Sequence, residues 1–205
     1  MTILLSDPRV SAVPLHETGE PLVRLDGSHG HDVRVRSRIA EMLDVAQDAL
    51  PSGFRLRVVE GHRSPTDQRA IISAYRAELR CAHPELSEAE IRVLSSRFVS
   101  PLDVAPHVAG AAVDLTLTDA DGHDLDLGTP IDATPEQSDG RCHFAARVGG
   151  EARIHRTILA RALDRAGFVN YPTEWWHWSY GDRYWALTTG APAALYGAVG
   201  QEIAA

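Results

Sequence analysis

The sequence predicts an α+β single domain, with a central antiparallel sheet flanked by helices. Three observations predict it. Helical and strand patterns come in blocks (helices, strands, a helix, strands) and not in the βαβ alternation of a parallel sheet. Two runs, Phe54 to Glu60 and Ala111 to Thr118, carry the period-two alternation of strands that bury one face. A length of 205 residues, 44% hydrophobic and 23% charged, suits one globular domain large enough to bury a core.

The elements follow in order. Residues 1–32 read as an irregular lead-in punctuated by Pro8, Pro14, Gly19, Pro21, Gly27 and Gly30. Val35, Ile39, Met42, Leu43, Ala46 and Leu50 recur at helical spacing, predicting a helix over 34–50 that Pro51-Ser52-Gly53 stops. In residues 54–60 apolar side chains alternate with arginines, as in a strand with one exposed face. Ser64 is placed as an N-cap with Pro65 at the first helical position, and that helix runs to about His83. Ser87 and Glu90 form a capping-box pattern for a helix over 88–98, and 99–108 reads as loop.

In the strand 111–118, Val113, Leu115 and Leu117 face one way, Asp114 and Thr116 the other. Asp121-Gly122 looks like a hairpin turn, and a polar loop covers 128–141. Ile154, Ile158, Leu159, Ala162 and Leu163 mark a helix over 151–166, with Gly167 just past its end. Residues 168–171 and 174–180 are the last strands, and 190–205 reads as a weakly structured tail.

Bulk properties remove several functions. The formal charge is −8 with acidic residues spread along the chain, which disfavours nucleic acid and anionic membranes as partners. No stretch approaches the roughly 20 apolar residues of a bilayer span. The N-terminus has no basic segment followed by an apolar run, so the expected location is cytoplasmic. Cys81 and Cys142 then read as free thiols, and neither belongs to a Cys-x-x-Cys pair. Of ten histidines, His16, His29, His31, His83, His123 and His155 sit in polar surroundings and read as surface residues.

Three segments carry chemistry: His107-Val-Ala-Gly110-Ala-Ala112-Val-Asp114, Glu174-Trp-Trp-His177 and Glu60-Gly-His-Arg63. A catalytic zinc site commonly takes three His or carboxylate ligands and leaves one position open. His107 and Asp114 stand at the two ends of a loop entering a strand, so their side chains can meet at one ion. Glu174 and His177 lie at a turn into a strand, where one can be a ligand while the other handles water. Each pair alone is weak, and the Trp-rich run equally fits a core strand. Their co-occurrence, with a glycine inside the first pair and an arginine after a strand, shifts the balance. Arg141, Cys142 and His143 fit either a cleft rim or a surface loop.

His107-x-x-Gly110-x-Ala112-x-Asp114 followed by Glu174-Trp-Trp-His177 resembles the zinc D-alanyl-D-alanine dipeptidases and related D,D-carboxypeptidases. Glu60-Gly61-His62-Arg63 and Leu127-Gly-Thr-Pro-Ile-Asp132 are similar to two further segments of that family, in the same order. The resemblance implies a single metallopeptidase domain over 1–205 with one zinc ion in a cleft on the sheet. Its ligands would be His107, Asp114 and His177. Glu174 would be the general base, Arg63 the partner of the oxyanion, and Asp132 the anchor of the substrate's free amino group. The implied substrate is a small dipeptide, D-Ala-D-Ala by family expectation.

Where the family usually has Ser, Tyr and Pro, this chain has Ala105, His62 and Ser64. His62 is placed as a substrate contact, alongside the options of a supporting or a surface role. Alternatives are another dipeptide or amide in a specialised pathway, a D,D-carboxypeptidase, and a non-hydrolytic metal-binding protein.

Overall fold

Every residue of the strand Ala112–Thr118 is buried, and the rest of the domain is arranged around it. The computed structural model describes residues 2–25 and 33–200. In chain order the elements are α1 (Pro8–Ser11), β1 (Leu22–Arg24), β2 (Arg34–Arg36), α2 (Ser37–Asp48), β3 (Arg55–Glu60), α3 (Pro65–Ala82) and α4 (Glu88–Ser95). A short 3-10 turn at Leu102–Val104 leads to β4 (Ala112–Thr118), α5 (Gly150–Ala166), β5 (Val169–Asn170), β6 (His177–Ser179) and α6 (Arg183–Thr189). β3, β4, β6 and β5 form a four-stranded sheet in that order, and β1 pairs with β2 separately. All of these pairings are antiparallel.

The alternation in β3 and β4 sends Leu56, Val58, Val113, Leu115 and Leu117 into one core. α2 adds Ile39, Met42, Leu43 and Ala46, and α5 adds Leu159 and Leu163. Each Leu, Ile, Val or Met among them contributes about 1.5–3 kcal/mol when fully buried. α3 and α4 bury a separate cluster of Tyr75, Leu79, Ile91 and Val99.

The opposite face of β4 carries Asp114. The β3–β4 register shifts by one residue between Val58 and Glu60, which brings Glu60 opposite Asp114. Without that shift the regular register would put Val59 there. On the other side Asp114 pairs with His177 of β6. Glu60, Asp114 and His177 therefore stand in one row across three strands. A bulge that re-aims a side chain beside a functional site is a common use of this irregularity.

The caps read from the sequence are present. Ser64 Oγ accepts from Asp67 N at the start of α3, Ser87 and Glu90 form a complete capping box on α4, and Gly167 ends α5 in the left-handed conformation. Several expectations need correction. The lead-in is not irregular throughout: it holds α1 and β1, and 26–32 lies outside the described residues. The helix expected from residue 34 starts at Ser37, because Arg34–Arg36 pairs with Leu22–Arg24. α4 ends at Ser95, short of the expected 98. The turn at Asp121-Gly122 returns the chain to a single bridge, Thr118 with Asp124, and not to a new strand.

On α5, Ile154 is 58% exposed while Arg156 is fully buried, the reverse of what polarity suggests. α6 has no counterpart in the sequence reading. The tail, described as far as residue 200, holds no helix or strand beyond one bridge of Ala194 to Leu15, and backbone hydrogen bonds join it to the N-terminal segment. Ala194 N donates to Pro14 O at 2.8 Å, His16 N to Ala194 O at 2.8 Å and Thr18 N to Leu195 O at 3.0 Å. No helix among the described residues is long and apolar enough to cross a membrane.

Candidate metal and catalytic site

His107 is held at both ends by the segment that leaves β3. Its backbone carbonyl accepts from Arg63 N at 3.1 Å, and its ring Nδ1 donates to Gly61 O at 2.7 Å. A carbonyl can only accept, so the proton sits on Nδ1 and the lone pair is on Nε2. Gly61 is needed for this clasp: a Cβ there would lie 2.4 Å from Arg34 O. His107 Nε2 points at His177 Nδ1, 3.1 Å away, and at Asp114 Oδ2, 3.3 Å away. His177 Nδ1 lies 3.0 Å from Asp114 Oδ1. All three residues are buried, and one donor atom from each falls within 4.8 Å of the others.

Two imidazole nitrogens and a carboxylate oxygen converging on one point are a donor set that suits a divalent metal. Burial alone raises the proton affinity of the Asp114 carboxyl, but the neighbouring His107 and His177 outweigh it and hold Asp114 well below the usual carboxylate range. For His107 burial opposes the charged ring, and Asp114 overcomes it, so the net shift is upward.

Glu174 sits on the turn before β6. Its N–H donates to Tyr171 O at 2.9 Å, and Asn170 Nδ2 donates to the carbonyls of Glu174 and His177 at 2.8 and 3.0 Å. This places Glu174 Oε2 3.8 Å from His177 Nδ1. Burial, then the nearby Asp114 and Asp132 carboxylates, push the Glu174 carboxyl well above its ordinary value.

Arg63 lies beside this group. Its Nε and Nη2 donate to the two oxygens of Glu60, and Nη1 donates to Gln68 Oε1 at 2.8 Å. Gln68 in turn donates from Nε2 to Ser100 O at 2.8 Å. A guanidinium has five N–H groups, so one on each terminal nitrogen stays free for a further acceptor. Burial works against the charge on Arg63, and Glu60 more than restores it.

Asp132 reaches the same pocket from the loop between β4 and α5. It adopts φ 62°, a left-handed conformation that costs an L-residue about 1–3 kcal/mol. Burial, then Asp114 and Glu60, raise its carboxyl to about 6. Together these residues line a cavity of about 180 Å³.

The cavity thus gathers six of the seven residues singled out from the sequence: His107, Asp114, His177, Glu174, Arg63 and Asp132. His62 is not among its lining residues; its backbone N–H donates to Arg34 O at 2.6 Å. Ala105 does line it, so the wall is apolar where a hydroxyl would otherwise stand. Sequence reasoning gave no role to Glu60 or Gln68, which orient Arg63, nor to Tyr171, whose ring meets that of His177 edge-on at 6.0 Å. The spacing of Glu60, three before Arg63, was the available signal.

Trp175 and Trp176 are both buried, and Trp176 lines the cavity. Arg141, Cys142 and His143 do not line it. Of the histidines read as surface residues, His16 and His123 are exposed, His83 and His155 half-buried, and His29 and His31 lie outside the described residues. Cys81 is exposed and Cys142 buried, both as free thiols.

A family model described as D-ala-D-ala dipeptidase, peptidase M15, matches residues 36–190. A D-alanyl-D-alanine dipeptidase of Synechocystis sp. (strain ATCC 27184 / PCC 6803 / Kazusa) is 26% identical over 217 residues, covering 85% of this chain and 87% of that protein. Two solved structures share the fold. A mutant of the vancomycin resistance D,D-pentapeptidase VanY, in complex with Zn(II), matches with a TM-score of 0.51 at 20% identity, over 91% of this chain and 96% of that one. VanYB in complex with D-alanine-D-alanine matches with a TM-score of 0.52 at 19% identity, over 83% and 84%.

Proposed function

This chain belongs to the D-Ala-D-Ala dipeptidase family of M15 peptidases, and from that premise we propose that it is a zinc-dependent dipeptidase acting on a small dipeptide with free amino and carboxyl ends, D-Ala-D-Ala foremost. The observation that carries this reading is the convergence of His107, Asp114 and His177 donor atoms beside Glu174, with Arg63 and Asp132 on the walls of the same cavity. His107, Asp114 and His177 would hold one zinc ion. When bound there, zinc supplies Lewis acidity, lowering the pKa of water and polarising a carbonyl oxygen.

The chain's own groups do the rest. Glu174, with its raised proton affinity, takes a proton from water at its carboxylate and returns it to the leaving amine. The two free N–H groups of Arg63 face the oxygen that gains negative charge as the peptide carbon becomes tetrahedral. Glu60 and Gln68 fix the guanidinium in advance, so little reorganisation is needed at that moment. Asp132 pairs with the substrate ammonium. The cavity is small, about 180 Å³. That favours a dipeptide over a long stem peptide. We assign the activity to the cytoplasm, with no nucleic-acid or membrane partner.

One observation favours a second reading. Asp132 also borders a more open groove of about 610 Å³, lined in addition by Arg57, Thr129 and Trp175. A D,D-carboxypeptidase would lay the rest of a longer peptide there. Steady-state assays of D-Ala-D-Ala against its N-acetylated form and against L,L and L,D dipeptides separate the two. Strong preference for the unblocked D,D substrate is expected, and equal cleavage of the N-acetylated one overturns the dipeptidase assignment. Glu174→Ala should lower kcat by roughly 10²–10⁴ with zinc retained. Near-normal turnover by that variant would remove Glu174 from the mechanism.

A further inference from the structure

The loop that carries Asp132 is built around a buried arginine of α5. Arg156 is fully buried, yet no carboxylate forms an ion pair with it among the described residues. Its donors go instead to backbone carbonyls of one loop. Nε donates to Leu127 O at 2.8 Å, Nη1 to His143 O at 2.6 Å and Phe144 O at 3.2 Å, and Nη2 to Arg141 O at 2.8 Å. Burying an unpaired charge is costly, and burial draws this guanidinium down to about 10. Four carbonyls offset part of that cost, and in doing so they tie both ends of the 127–144 segment to α5.

The same loop is held elsewhere. Trp175 Nε1 donates to Thr129 Oγ1 at 2.8 Å, and Trp175 N donates to Cys142 O at 3.0 Å. The Arg156 guanidinium also lies over the Trp175 ring, 5.8 Å from its centroid. Gly128, at φ 92°, lets the backbone settle against α5's approach: a Cβ there would meet Val148 at 2.7 Å and Arg156 Nη2 at 3.4 Å. Four residues later Asp132 takes its left-handed conformation, φ 62°. Asp132 thus stands on a loop whose two ends are bonded to Arg156 and whose start is fixed by Gly128 and Thr129.

We propose that Arg156 is a positioning residue for recognition of the substrate's amino group: it fixes the 127–144 loop from behind, and through the loop it sets where the Asp132 carboxylate stands. This rests on the assignment of Asp132 as the ammonium anchor. It gives a fully buried cation a role that neither the metal ligands nor Glu174 share. It also assigns a role to Arg141 and His143, whose carbonyls accept from Arg156, and to Cys142, whose carbonyl accepts from Trp175 N.

The test uses the full-length, zinc-loaded protein with unblocked and N-acetylated D-Ala-D-Ala, and the variants Arg156→Met, Arg156→Lys, Gly128→Ala and Asp132→Asn. Arg156→Met should raise KM for the unblocked dipeptide on the order of tenfold, since small displacements of a binding group are costly. Its kcat and its zinc content should stay near normal, and the preference for a free amine should shrink. Arg156→Lys should recover part of the loss. If Arg156→Met does not yield folded protein, Gly128→Ala, which leaves the arginine in place, should raise KM in the same way. Unchanged KM in Arg156→Lys and Gly128→Ala, or losses of kcat and zinc with KM constant, would overturn the proposal. If Asp132→Asn keeps full preference for the free amine, the anchor assignment itself falls. If Asp132→Asn loses that preference while the Arg156 and Gly128 variants keep it, only the role of Arg156 falls.

Discussion

Asp132 combines two properties that pull on its charge. Burial and the neighbouring Asp114 and Glu60 raise its carboxyl to about 6, above the ordinary value of an aspartate. The ionised form, which alone can pair with an ammonium, therefore dominates only above that pH. A bound divalent cation nearby favours the carboxylate and moves the midpoint below 6. KM for an unblocked dipeptide should accordingly rise as pH falls through about 6 or just below, and Asp132→Asn should flatten that dependence while raising KM throughout. A pH series of KM on both proteins checks this, and identical profiles would refute it. At the residue scale most of the site was legible in the sequence. The pairs His107 with Asp114 and Glu174 with His177 are weak patterns singly, and they are legible through their resemblance, in combination with the segments of Arg63 and Asp132, to the family's motifs. What escaped was the support: Glu60 and Gln68 around Arg63, and Arg156 behind the loop. Polar residues on helices read as solvent-facing by default, and no local pattern shows that one of them is turned inward.

Caps are local chemistry, and at the element scale they were readable for that reason. Ser64, Pro65, Ser87, Glu90 and Gly167 each act within four residues of themselves. Ser64 caps α3 immediately after Arg63, so one substitution touches both stability and the site. Ser64→Ala should cost about 1 kcal/mol, seen as a lower urea midpoint with unchanged slope. No change in the midpoint would mean that solvent replaces the cap. The strands that escaped prediction have the opposite character. β1 and β2 are three residues each, too short to show a period, and the bridge of Leu15 to Ala194 joins segments from opposite ends of the chain. The one-residue shift before Glu60 was equally invisible, since a bulge depends on the partner strand.

At the scale of the whole molecule, four carboxylates (Glu60, Asp114, Asp132 and Glu174) line one cavity of about 180 Å³, with Arg63 the guanidinium among its lining residues. A bound cation offsets that repulsion, and a ligand that binds only the folded state adds to its stability. Chelation should lower the midpoint of thermal unfolding. At a metal concentration 100 times Kd the stabilisation is about 2.7 kcal/mol, or roughly 5–10 °C for a chain of this size. Calorimetry with EDTA and with restored zinc measures it, and superimposed transitions would show that the site does not bind metal in the folded protein. The order of the strands has one more consequence, for biosynthesis. His177 comes 63 residues after Asp114, and its strand is inserted between β4 and β5. A chain leaving the ribosome exposes His107 and Asp114 long before their third companion exists. The candidate metal site therefore cannot assemble before β6 has been made and has paired with β4.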